Sequence, residues 1–548
     1  MIGRRQFLGA AAALVASGVA APAKRPNILF VITDDQGFGD LSIHGNPHLR
    51  TPNMDRIGTE GVRFTQFHVT PVCSPTRASL MTGRYNYRTG VVDTYLGRSM
   101  MHGDERTLPE MLRGSGYATG LFGKWHLGDN YPMRPVDQGF DESVAIKGGG
   151  LGQPSDFPGG GSYTDPILLH NGKPKRYQGY CTDIYVNEAS RFMEANRDKP
   201  FFAYVAMNAP HTPLEIEERY VAPFRKAGLD DVTAKVYGMV INADENVGRL
   251  LNRLDELQIA ENTIVVFMTD NGPQQRRFNA GMRGLKGSAY EGGIRVPFFV
   301  RWPAVIRKGS TVDRVAAHID VTPTLLEAAG AVAPSGSTLD GRSLLPLFRN
   351  ANAEWRERTI FTQWHRGDEP VLFQNCMART QRWKLVNGKE LYDLDADPAE
   401  SKNLADTHPD VAANLRREYE DWFRDVSATR GYTPPRISLG SGKENPVILT
   451  RQDWRGPRAG WTPDSLGHWE VRVEKAASYE VSARFAPATS AGTLRFRLNG
   501  VSASAPVAAA AGEASLGRVR LPRGDGQLEM ELESGDATVG IHYVTIAG

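Results

Sequence analysis

Three short stretches of the chain are apolar without interruption, and each leads into polar residues. Asn27-Ile28-Leu29-Phe30-Val31-Ile32-Thr33 runs into Asp34-Asp35, Phe201-Phe202-Ala203-Tyr204-Val205-Ala206 runs toward His211, and Thr263-Ile264-Val265-Val266-Phe267-Met268-Thr269 runs into Asp270-Asn271-Gly272. Continuous apolar runs of this length predict strands buried on both faces. Residues 118–122 and 296–302 predict two more. Helix signals lie between them. Thr51 stands as N-cap before Pro52 at the first helical position, with Met54, Ile57 and Val62 expected to face the sheet. Further helices are predicted from residue 108, stopped by Gly114 and Gly116, over 234–254, and around Leu325-Leu326 with Asp320 as cap. Residues 129–175, rich in Gly, Pro and Asp, read as loops. Strands alternating with helices predict a largely parallel α/β sheet with flanking helices. Ligands of such sheets sit outside the carboxyl ends of the strands, so Asp34-Asp35, His211 and Asp270-Asn271 are expected at one edge.

The pattern changes late in the chain. Trp469, Val471 and Val473 alternate with polar residues, as do Tyr479, Val481, Ala483 and Phe485, then Leu494, Phe496 and Leu498 before Asn499-Gly500, then Leu528, Met530 and Leu532. Period-two alternation with a hairpin turn predicts an antiparallel β-sandwich over residues 447–548. Residues 431–446, rich in Gly, Pro and Ser, read as a linker to it.

Composition narrows the class. At 548 residues the chain needs two or three domains. The 64 Lys plus Arg nearly balance 62 Asp plus Glu, which argues against nucleic-acid or anionic-membrane binding. Arg4-Arg5-Gln6-Phe7-Leu8, an Ala-rich apolar run and Ala21-Pro22-Ala23 look like a twin-arginine export signal over residues 1–23. Its apolar run is shorter than the ~20 residues that span a bilayer. A bacterial periplasmic or secreted protein, exported folded by the twin-arginine machinery, is expected. Of the three cysteines, Cys181 and Cys376 could pair in an oxidising compartment, but no disulfide framework is read.

The third cysteine carries the chemistry. Pro71-Val72-Cys73-Ser74-Pro75-Thr76-Arg77 continues into a helix through Leu80 and ends at Thr82-Gly83-Arg84. This resembles the Cys-x-Pro-x-Arg signature of the type I sulfatases. Gly123-Lys124-Trp125-His126-Leu127-Gly128 and Thr269-Asp270-Asn271-Gly272 follow in the family's order. A tyrosine-phosphatase loop needs five residues between Cys and Arg, and here there are three.

The resemblance implies that a maturation enzyme oxidises Cys73 to formylglycine, whose hydrate is the nucleophile. It implies an alkaline-phosphatase-like fold, with residues 24–350 as the catalytic domain. A small antiparallel subdomain over 351–430 is expected to follow, built from Trp383-Lys384-Leu385-Val386, residues 390–398 and a helix over 410–423. It assigns Asp34, Asp35, Asp270 and Asn271, with the modified Cys73, to a divalent cation. All are oxygen donors, which suits Ca2+ or Mg2+ rather than zinc. It places Lys124, His126, His211 and Lys286 at the sulfate, with Arg77 suited to hold the hydrate or the sulfate. Asp270 accepts the hydrate's proton, His211 or Lys286 protonates the leaving alcohol, and His126 takes the second hydroxyl's proton. Lys124 and His126, two apart, would point to one side of an extended segment. Asp40 reads as a turn or cap residue. Substrate contacts are expected from residues 148–175 and from Arg276-Arg277. The sandwich resembles accessory modules of secreted sulfatases, some carbohydrate-binding; a domain that only packs on the core is the other reading. The function implied is hydrolysis of carbohydrate or aryl sulfates. Hydrolysis of phosphate or phosphonate esters, and sulfated-glycan binding without turnover, are the alternatives.

Overall fold

The computed structural model describes residues 25–548, so the twin-arginine segment lies outside the described residues. A ten-stranded sheet dominates. Its strands, in chain order, are β1 (Asn27–Thr33), β2 (Val62–Phe64), β3 (Ala118–Lys124), β4 (Glu142–Ile146), β5 (Ile167–His170), β6 (Lys173–Arg176), β7 (Phe201–Ala206), β8 (Thr263–Thr269), β9 (Phe298–Arg301) and β10 (Ser310–Val312). Across the sheet they lie β10-β2-β9-β8-β1-β7-β3-β4-β5-β6. The run β8-β1-β7-β3-β4 is parallel throughout. The sheet as a whole is mixed, because β9 runs antiparallel to both its neighbours and β5-β6 is an antiparallel hairpin on β4.

The central strands are apolar along their whole length because both faces are covered. Ile28, Phe30 and Ile32 of β1 pack into one core with Phe202, Tyr204, Ile264 and Val266. Leu29 and Val31 enter a second core with Phe201, Ala203, Val205, Val265 and Phe267. Alternate residues thus serve opposite layers.

Helix α1 (Pro52–Thr59) has Thr51 at its N-cap position without a side-chain cap bond. Asp244, on the long helix Asp231–Glu256, caps it from outside, accepting from Asn53 N at 3.1 Å and Met54 N at 2.8 Å. Val62 belongs to β2, not to α1. Asp320 stands at the N-cap of Val321–Ala329, but its carboxylate accepts from Ala317 N and Arg342 N instead. Residues 129–175, expected as loops, contain β4 and β5, and β6 runs just past them. Every residue of β6 is exposed at the sheet's edge, so no apolar run marks it.

Ile360–Gln363, Cys376–Arg379, Trp383–Val386 and Glu390–Asp393 form a four-stranded antiparallel sheet, covered by the helix Pro409–Ala428. Two further sheets, of six and four strands with one extra pairing, follow as the expected sandwich. Within residues 431–446, Ile437–Leu439 is a strand that pairs in parallel with His468–Val473, so this stretch is built into the sandwich. Leu96, Met100 and Met133, from loops of the α/β part, pack into the sandwich core. No helix among the described residues is long and apolar enough to cross a membrane.

Candidate active site

Four neighbouring parallel strands, β8, β1, β7 and β3, bring their carboxyl ends to one edge. Asp270-Asn271 follows β8, Asp34-Asp35 follows β1, His211 lies beyond β7, and Lys124 ends β3. Helix α2 (Cys73–Thr82) starts at the same edge with Cys73 as its first residue. All ten residues of α2 are buried, and three of its hydroxyls are hydrogen-bonded while Ser79 Oγ has no partner among the described residues. Thr76 donates to Thr70 O at 3.0 Å, Thr82 to Ala78 O at 2.8 Å, and Ser74 to His126 O at 2.9 Å. Gly83 closes the helix in the left-handed region, at φ 68°.

Charge at this edge is balanced pairwise. Lys124 Nζ pairs with Asp34 Oδ2, and Lys286 Nζ with Asp35 Oδ1 at 2.5 Å. Arg77 donates from Nε and Nη2 to Asp270 Oδ2 at 3.2 and 2.9 Å, and from Nη1 to Lys124 O at 3.0 Å. The Arg77 fork therefore orients Asp270, and Asp270 Oδ1 in turn accepts from Asp35 N at 3.2 Å. Asn271 Nδ2 donates to Asp35 Oδ1 at 2.8 Å, which turns its oxygen the other way. Asp34 Oδ1, Asp35 Oδ2 and Asn271 Oδ1 are left buried with no hydrogen-bond partner among the described residues. Asp34, Cys73 and Asp270 offer ligand atoms within 4.8 Å of one another, as do Asp34, Asp35 and His211. Buried polar atoms normally find partners. Three orphaned oxygens on adjacent strand ends fit a hard cation.

Burial works against charge here, and neighbours decide the outcome. Burial would raise Asp34, but Lys124, His211, Arg77 and Lys286 hold it well below the carboxylate range. Asp270 is pushed up to about 7 by burial and by Asp34, against the pull of Arg77. Burial raises the Cys73 thiol despite Lys124 and Lys286, so the unmodified side chain is a poor thiolate. His126 and His211 are both lowered, chiefly by burial, and stay neutral at neutral pH.

His126 has φ 62°, so the segment after β3 is not extended and the two-residue spacing from Lys124 does not set its direction. A backbone contact does. His126 Nε2 hydrogen-bonds Thr94 O at 2.7 Å, leaving Nδ1 without a partner. Sequence reasoning missed two features beside it. A Cβ at Gly149 would lie 2.4 Å from His126 Cε1, and one at Gly150 2.9 Å from His211 Nδ1. The Gly148-Gly149-Gly150 run was the visible signal; only residues without side chains let this loop cross both imidazoles. Asp40 is the expected turn residue, accepting from Gly37 N at 2.7 Å. It also pairs with Arg277 at 2.6 Å, which buries the Arg277 side chain and removes it from the expected substrate contacts. All three cysteines are free and buried, and Cys181 and Cys376 form no bridge.

Fold and edge together define an ester hydrolase of the alkaline-phosphatase-like class. Within that class the chain belongs to the sulfatase family, the sulfuric ester hydrolases. Residues 26–331 match the family "Sulfatase", and residues 285–424 match "N-sulphoglucosamine sulphohydrolase, C-terminal". The N-acetylgalactosamine-6-sulfatase of Canis lupus familiaris is 32% identical, with 73% of this chain and 79% of that protein covered. Human arylsulfatase A is 31% identical over 77% of this chain and 87% of its own. The solved structure of Ps i-CgsB in complex with k-i-k-neocarrahexaose superposes with a TM-score of 0.67 at 30% identity, covering 74% of this chain and 94% of that one.

Proposed function

We propose that this protein hydrolyses sulfate esters of carbohydrates or aryl alcohols, using a formylglycine made from Cys73 and a bound hard cation, Ca2+ or Mg2+. The observation that carries the reading is the set of orphaned oxygens, Asp34 Oδ1, Asp35 Oδ2 and Asn271 Oδ1, buried beside the first residue of α2. Asp34, Asp35, Asp270 and Asn271 would hold the ion together with the modified residue 73, and its charge would polarise the sulfuryl oxygens. An aldehyde hydrate supplies what a thiol cannot: one hydroxyl takes the sulfuryl group, and the other, on losing its proton, expels sulfate and restores the aldehyde.

The protein's own groups divide the remaining work. Three carboxylates, Asp34, Asp35 and Asp270, face three cations, Lys124, Lys286 and Arg77, so a divalent ion leaves the edge positive for an anionic ester. Fixed positive groups of this kind stabilise charge developing on the sulfuryl oxygens. Asp270, oriented by Arg77, accepts the attacking hydroxyl's proton. Of the two groups expected to protonate the leaving alcohol, His211 and Lys286, Lys286 is the one that carries its proton at neutral pH, held beside Asp35, while His211 is neutral. His126, kept neutral by burial, takes the proton of the second hydroxyl. The carbohydrate part of the reading is supported by relatives named for N-acetylgalactosamine-6-sulfate and by the neocarrahexaose complex. Export by the twin-arginine route to a bacterial periplasm or beyond, after modification by a maturation enzyme in the cytoplasm, belongs to the same proposal. So does the division into residues 24–350, 351–430 and 447–548.

Peptide mass spectrometry of active protein from a host with the maturation enzyme tests the nucleophile. Formylglycine at residue 73 is expected, and an intact thiol in fully active protein would overturn it. Turnover of nitrophenyl sulfate is expected to exceed that of nitrophenyl phosphate; the reverse order makes the protein a phosphate-ester hydrolase.

A further inference from the structure

The sandwich reaches the catalytic edge through one segment. Gln452 Nε2 donates to Thr94 O at 3.2 Å, the same carbonyl that holds His126. Gly97 N donates to Gln452 O at 2.9 Å, and Arg455 Nη2 to Gly97 O at 2.7 Å. The loop carrying Thr94 and Tyr95 is thus clamped between the catalytic histidine and the sandwich. Next to that carbonyl, Tyr95 meets Trp461 of the sandwich edge-on, with ring centroids 5.4 Å apart at 86°. Trp461 is 38% exposed, and among the described residues it is the only aromatic side chain among the large exposed hydrophobic ones. The Arg366 guanidinium lies over the Tyr95 ring at 4.3 Å and over Trp364 at 5.1 Å. Among the described residues it is hydrogen-bonded through Nη1 alone, to Asp93 Oδ1 at 2.7 Å and Thr94 Oγ1 at 3.0 Å. Asp93 is fully buried, and its Oδ2 has no hydrogen-bond partner among the described residues.

An exposed tryptophan held by a second ring, beside an arginine with unused donors that a buried carboxylate fixes in place, has the chemistry of a sugar subsite. Aromatic rings present an apolar face to the C–H face of a pyranose. The guanidinium suits a sulfate or carboxylate substituent. From this arrangement the geometry points to a composite subsite for a further residue of a sulfated oligosaccharide, built from Trp461 of the sandwich with Tyr95, Arg366 and Asp93 of the preceding parts. The inference rests on the carbohydrate-sulfatase reading above. It makes the sandwich a wall of the substrate site, not a separate binding module. The chain would then favour oligosaccharides over small aryl sulfates.

The test compares wild type, Trp461→Ala and Trp461→Phe on nitrophenyl sulfate and on a panel of sulfated oligosaccharides, using full-length modified protein. Trp461→Ala is expected to lower kcat/KM on the oligosaccharide by about tenfold, with nitrophenyl sulfate unchanged and Trp461→Phe close to wild type. Calorimetric binding of the same oligosaccharide to Cys73→Ala protein should weaken by a similar factor when Trp461→Ala is added. Equal losses on both substrates would make Trp461 a structural residue, and no loss on either would make it a bystander; each overturns the subsite. A wild-type enzyme that cleaves nitrophenyl sulfate but no sulfated saccharide would overturn the carbohydrate reading itself, and shows in the wild type alone.

Discussion

At the strand edge, Asp34, Asp35 and Asp270 face Lys124, Lys286 and Arg77. Where the four-stranded sheet meets the α/β part, Glu291 and Glu400 face Lys384 and His68. Both clusters are buried, save for the partly exposed Lys286. In the second, three of the four carboxylate oxygens are hydrogen-bonded, and the fourth, Glu400 Oε1, has no hydrogen bond but lies against the Lys384 ammonium. Glu291 Oε1 and Glu400 Oε1 lie 3.0 and 2.7 Å from Lys384 Nζ, Glu291 Oε2 lies 3.2 Å from His68, and Glu400 Oε2 accepts from Glu291 N at 2.7 Å. Burial would raise Glu291, yet Lys384 and His68 hold it well below the usual range. In the first cluster an equal number of cations still leaves three oxygens unmet. Buried charge alone therefore does not mark a site; several unmet oxygens converging on one strand edge do.

The comparison breaks if removing ligands from the first cluster harms the fold more than the reaction. Asp34→Asn or Asp35→Asn is expected to cut kcat/KM by at least ~10³-fold. The melting temperature should fall by less than the reaction does, because Asn at 34 or 35 leaves Lys124 or Lys286 without its partner carboxylate. Steady-state kinetics and a thermal melt on each variant decide it. Lys384→Met should do the opposite. It strands two buried carboxylates, costing about 3–5 kcal/mol of stability, while the folded fraction keeps near-normal kcat. Denaturant titration with active-site counting separates the two effects.

Gly149→Ala sharpens the first half of the contrast without touching a charge. A methyl 2.4 Å from His126 Cε1 must displace the imidazole, and a shift of that order costs about 10²-fold in kcat with little change in melting temperature. The smallest effect concerns a third kind of buried acid. Asp453, in the sandwich segment facing the α/β part, is raised to about 8 by burial and by Asp129, against Lys147 and Arg455. The folded state then keeps a proton that the unfolded chain has lost above its ordinary carboxyl pKa. Stability therefore falls as pH rises toward 8, by about 1 kcal/mol between pH 7 and 8. Melting curves at those two pH values should show the slope in wild type and lose it in Asp453→Asn.

Legibility in the sequence followed burial. The strands β1, β7 and β8 were plain because both faces are covered and every interior residue is apolar, and their polar ends then located the edge. The motif around Cys73 sits where its pattern required, opening a helix at that edge. By contrast β5 and β6 lie at the sheet margin, where β5 offers only the short run Ile167-Leu168-Leu169 and β6 no apolar residue but Pro174. Arg277 offered no hint that Asp40, 237 positions away, would bury it. The support of His126 comes from a main-chain carbonyl, which no residue type announces, and that carbonyl is held by Gln452, 358 residues later. Residues 431–446 looked like a linker because two short apolar residues, Ile437 and Leu439, suffice for an edge strand among glycines and prolines.

Equilibrium dialysis against Ca2+ or Mg2+, with metal content read by elemental analysis, tests the central claim most directly. One tightly bound ion per chain is predicted in wild type and in Glu291→Gln, and none in the Asp34→Asn/Asp35→Asn double variant. An ion retained in full by the double variant, or lost with Glu291→Gln, would contradict the account.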